Sequence, residues 1–141
     1  MRVVIGPVSV ASANAWLDYA DEVIDELASM APGECFTTPE VIEVFRSYVS
    51  SWRRAAVGTD FVWERDIPPE QAEYDMHAFQ RVAEVLARRA EEQGAAAPPE
   101  SEDFYAALLH GVLTALEAEG PSSAAFAEHL AEFWPGRDPL S

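Results

Sequence analysis

From residue 12 onward the apolar positions recur every three or four residues, the period of an amphipathic helix. Ser12 stands as the cap of the first helix. Trp16, Tyr19, Ala20, Val23, Ile24 and Leu27 share one face, and Asp18, Asp21, Glu22, Asp25 and Glu26 share the other. Pro32-Gly33 ends it. A second helix opens on a capping box, Thr37 with Glu40, and has Pro39 in its first turn, where a missing N–H costs nothing. Its stripe is Val41, Ile42, Phe45, Tyr48, Val49 and Trp52, with Gly58 just past its end. Pro68-Pro69-Glu70 opens a third helix, with Asp66 in reach as its cap. Met76, Phe79, Val82, Ala83, Leu86 and Ala90 line one face of it, and Gly94 stops it. Ser101 caps a fourth, with Glu102 and Asp103 near the positive end of its dipole. Phe104, Tyr105, Leu108, Leu109, Val112, Leu113 and Leu116 form its apolar face, and Gly120-Pro121 stops it. A short fifth helix carries Phe126, Leu130, Phe133 and Trp134 up to Pro135-Gly136.

Two stretches break the helical period. Val3-Val4-Ile5 is apolar but is cut short by Gly6-Pro7, too short for the core of a signal peptide, and reads as an extended arm or a short edge strand. Phe61-Val62-Trp63, followed by Glu64-Arg65-Asp66, reads as a loop or a short strand. Short links between amphipathic helices favour antiparallel neighbours. The expected fold is therefore all-α: a compact antiparallel bundle of four main helices plus a short C-terminal one. It forms a single domain over residues 1–141, with an extended arm over 1–11 and a tail over 136–141. The alternative is α+β, with Val3–Ile5 pairing against the 61–63 stretch in a small ribbon that needs packing behind it to be stable.

Charge narrows the function. The chain carries 25 Asp+Glu against 9 Lys+Arg in 141 residues, a formal net charge of −16, and every basic residue is arginine. Such an excess repels nucleic acid and anionic membranes, so neither is expected as a partner. No stretch approaches the ~20 continuous apolar residues of a membrane span. With 49% hydrophobic residues the chain has material for a core, unlike a disordered acidic tail. Cys35 is the sole cysteine, which suits a reducing cytoplasm. No basic residue lies near it in sequence to activate it.

The charge is uneven. Residues 1–45 sum to −7, residues 46–89 to zero and residues 90–141 to −9. Arg46, Arg53, Arg54, Arg65, Arg81, Arg88 and Arg89 thus gather in the middle of the chain. The structural account is that these arginines pair with carboxylates of neighbouring helices. The functional account is a site for a small anionic ligand, with Arg46, Arg53, Arg81 and Arg88 as donors and Trp52 as a stacking surface. No glycine-rich phosphate loop accompanies them.

Catalytic and metal chemistry find little support. His77, His110 and His129 fall on three different helices, and Glu73 stands four residues before His77. There is no His-x-x-x-His pair, no Glu-x-x-His pair and no Cys/His cluster, so no metal or other cofactor is predicted; the alternative reading is a helical bundle that binds a small anionic ligand through the arginines or a metal ion through the three histidines. No Gly-x-Ser-x-Gly motif occurs, and the many carboxylates single out no acid–base pair. The expectation is a small, non-catalytic cytoplasmic protein that binds a protein with a basic surface, as an adaptor, regulator or inhibitor. Its contact would use Asp18, Asp21, Glu22 and Asp25, with Phe61 and Trp63 as an aromatic anchor if they are exposed. A homodimer is compatible with the same stripes.

Overall fold

The computed structural model describes residues 1–29, 39–68, 70–72, 74, 75, 78, 82, 89, 92 and 98–118. Strand β1 (Arg2–Ser9) runs directly into helix α1 (Val10–Ser29). Helix α2 (Pro39–Ala55) leads to strand β2 (Asp60–Asp66). Every described residue between 70 and 92 is helical. A single 3-10 turn (Pro99–Ser101) then opens helix α3 (Glu102–Glu117).

The four-helix bundle expected from periodicity is not the architecture. β1 and β2 pair antiparallel, with Val3 opposite Arg65, Val4 opposite Glu64 and Ile5 opposite Trp63. The physical reason lies in the period of two that both segments carry. Val3 and Ile5 on β1 and Phe61 and Trp63 on β2 all point inward and are buried, while Val4 and Val62 are exposed. A helix could not place alternate residues on one face. The first segment is accordingly a paired strand, not a free arm, and α1 begins at Val10.

The ladder skips between Ile5 and Val8, so that Gly6 and Pro7 face Val62 alone, an extra residue that bends the strand. Gly6 takes φ 102° there, and a Cβ on it would run into the Phe61 carbonyl oxygen. Beyond the bulge, the Val10 N–H donates to the Thr59 carbonyl at 3.0 Å.

Helix α3 lies against β1. Gly111 makes that approach possible, because a side chain there would meet the Val4 carbonyl and the Ile5 side chain. The helix ends are tied in ways the capping pattern did not indicate. Ser9, not Ser12, serves the start of α1, its Oγ accepting from the Ser12 N–H at 3.1 Å. Ser12 is itself buried, and its Oγ accepts from the Phe104 N–H at 3.0 Å. Ser101 donates to the Pro98 carbonyl at 2.6 Å and makes no side-chain cap. The Thr37 half of the predicted capping box, Cys35, and the predicted fifth helix lie outside the described residues.

The core is aromatic. Trp16 of α1 meets Phe45 and Trp52 of α2 at ring distances of 6.3 and 5.7 Å, and Phe104 of α3 at 5.3 Å. Phe61 of β2 stands edge-on to Phe104 at 4.9 Å. Each such pair adds about 0.5–1.5 kcal/mol beyond the area it buries. Among the described residues, no helix is long and apolar enough to cross a membrane.

Candidate functional site

The outer face of α1 divides into two parts. Asp18 and Asp21 reach toward α2, where the Arg53 guanidinium donates through Nη2 to Asp18 at 2.7 Å and to Asp21 at 2.5 Å, and through Nε to Asp21 at 3.2 Å. These bonds, that to Asp21 foremost, raise the guanidinium's pKa further. Arg89 likewise meets Glu26 at 3.4 Å and sits 5.2 Å above the Tyr19 ring. Middle-chain arginines therefore pair with α1 carboxylates. Glu22 and Asp25 are exposed on the same helix, and the Asp18 side chain keeps 74% of its exposure despite Arg53.

The aromatic anchor is not available. Phe61 is fully buried and Trp63 is 7% exposed. The Trp63 indole N–H donates to Ser51 Oγ at 2.9 Å. Both rings belong to the core because the strand period turns them inward, and Val62 alone of the three faces solvent.

The anionic-ligand set does not assemble either. Trp52 is buried in the core, Arg53 is held by the two aspartates, and Arg46 is exposed on α2. Arg81 and Arg88 lie outside the described residues, as do Glu73, His77 and His129. His110 is exposed on α3. Among the described residues, no group of three or more His, Cys, Asp or Glu is placed to hold a metal ion.

What the structure does bring together is a carboxylate and three aromatic rings. Asp75 is 4% exposed. The Tyr48 hydroxyl donates to its Oδ2 at 2.7 Å, and the Gln71 amide approaches the same oxygen at 3.4 Å. Burial, and then the bond to Asp75, push the Tyr48 pKa well above its usual value. On the inner side, Asp75 and Tyr48 border a small apolar cavity of about 30 Å³, walled also by Trp52, Trp63, Ile5 and Leu108. On the outer side the same two residues form the floor of an open cleft of about 230 Å³, rimmed by Glu43, Ser47, Arg65 and Gln71. The Arg65 guanidinium lies 5.9 Å from the centre of the Tyr48 ring.

Neither the buried carboxylate nor its cleft is among the sites expected from sequence. One signal was present: Asp75 stands three residues after Ala72 and seven before Val82, both buried, so an acid occupies a core position of a helical stripe. No family model matches the chain, and no curated protein or solved structure shows significant similarity to it.

Proposed function

We propose that the chain is a small, non-catalytic, cytoplasmic protein-binding domain whose partner offers a basic surface. The observation that carries this reading is the row Asp18, Glu22 and Asp25 along α1. Spacings of four and three put these exposed acids side by side, where like charges repel by a few tenths of a kcal/mol per pair. Arg53 offsets one end of the row only. A basic partner relieves the remaining repulsion, and a net charge of −16 steers such a partner toward the surface. Phe61 and Trp63 take no part, being committed to the core.

Affinity capture from native lysate with wild-type protein and the Glu22→Gln/Asp25→Asn variant tests the reading. Both substituted side chains are exposed, so the circular dichroism spectrum stays that of wild type. The expected result is a specific basic protein held by wild type, released by salt, and missing from the variant's capture. Equal retention by the variant, or recovery of nothing but further copies of the chain, overturns the acidic-surface contact.

A further inference from the structure

Asp75 plays no part in the α1 surface, yet it is the best-buried acid among the described residues. Its described hydrogen-bond donors, Tyr48 and Gln71, are neutral and share one oxygen. A cation brought against so deeply held a side chain gains from it, and Arg65, which shares the cleft, lies over the Tyr48 ring and forms no ion pair with Asp75 among the described residues. The wall behind it is a set of π-faces. Tyr48, Trp52 and Trp63 stand 5.7–6.1 Å apart, centre to centre. Such rings attract cations and also shelter methylene groups.

We propose that the cleft over Tyr48 and Asp75 binds a primary alkylammonium group, with Asp75 as its counter-ion. The head group belongs in the open cleft, which Asp75 and Glu43 both line, and not in the apolar inner cavity of about 30 Å³. At about 230 Å³ the cleft accommodates the alkyl stem as well. Arg65 shares the cleft, its guanidinium 5.9 Å from the centre of the Tyr48 ring, and the two carboxylates that line it, Asp75 and Glu43, outnumber that one positive charge. A primary ammonium has three donors to share between the Asp75 carboxylate and the Tyr48 oxygen. Glu43 on the rim adds attraction at the entrance. The group is the same on a free alkylamine and on a lysine side chain, and the site does not depend on the acidic row of α1.

The test is a titration of the full chain with n-butylammonium chloride, followed through the indole N–H signals of Trp52 and Trp63. n-Butanol and tetramethylammonium chloride serve as controls at equal concentration and ionic strength. The expected result is a saturable shift with n-butylammonium, at a midpoint about tenfold or more below that of either control, as one charge-assisted contact implies. Asp75→Asn loses that preference. A parallel titration with Nα-acetyl-lysine methylamide tells the sources apart: binding as tight as n-butylammonium indicates a lysine side chain, and weaker binding a free amine. The absence of saturation, an equal response to n-butanol, or an unchanged preference in a folded Asp75→Asn variant overturns the proposal. Should Asp75→Asn fail to fold, the comparison of n-butylammonium with n-butanol on the wild-type chain decides it.

Discussion

Ser12 belongs to α1 by position and to α3 by function. Its hydroxyl accepts from the Phe104 N–H, a donor at the start of a helix that has no partner within its own helix. Ser12→Ala would leave that buried N–H without its acceptor, and the expected loss is about 1–3 kcal/mol, read as a lower urea midpoint at unchanged slope. Tyr48 makes a second prediction possible, because the chain has no lysine and its alkaline titration between pH 9 and 12 belongs to its tyrosines and Cys35. Tyr48 and Tyr19 both titrate above the ordinary 10.0, burial being the first cause in each. The folded state therefore holds protons that the unfolded chain releases, so stability is intact below about pH 10 and falls as the pH climbs toward the folded values. In urea unfolding between pH 8 and 11.5, the midpoint of wild type is expected to hold and then drop. Tyr48→Phe should drop less steeply, and identical curves would show that Tyr48 does not carry the effect.

At the scale of elements, the join between α3 and β1 rests on a missing side chain. Gly111→Ala puts a methyl against the Val4 carbonyl and the Ile5 side chain, and backbone cannot step aside as a side chain tip can. The expected cost is about 1–3 kcal/mol by overpacking, whereas alanine at an open helical glycine would stabilise; thermal unfolding separates the two by the sign of the change in Tm. Periodicity identified α1 and α2 and the start of α3, since Trp16, Val23, Ile24, Phe45, Tyr48 and Trp52 are buried at the positions the three-and-four spacing selects. It could not decide between a loop and a strand at Phe61–Trp63, because three consecutive apolar residues carry too little period, and strand pairing depends on a partner some sixty residues away. The contact of Ser12 with Phe104 and the meeting of Tyr48 with Asp75 were illegible for the same reason: each joins residues whose nearness is a product of the whole fold. The pairing of Arg53 with Asp18 and Asp21 was foreseeable as a class of interaction and not as a particular pair. Charge counts indicate that arginines must find acids, without saying which.

For the molecule as a whole, self-repulsion is the dominant long-range term. Twenty-five acidic residues against nine arginines crowd one 141-residue chain, and compaction brings them closer. Screening shortens that repulsion to about 8–10 Å at 0.1–0.15 M salt, so the urea midpoint is expected to rise with sodium chloride. A fall would mean that the surface pairs, Arg53 with Asp18 and Asp21 foremost, outweigh the net charge. The position of β1 has a further consequence, for the order in which the chain is made. β1 is synthesised ahead of the elements that cover it: its strand partner follows some sixty residues later, and α3, which seats on its backbone, later still. At a synthesis rate of about 5–20 residues per second, Val3 and Ile5 wait several seconds before β2 is made and can pair with them. In that interval β1 is an unpaired apolar segment, open to chaperones and to other nascent chains, until β2 pairs with it and α3 then closes over the pair.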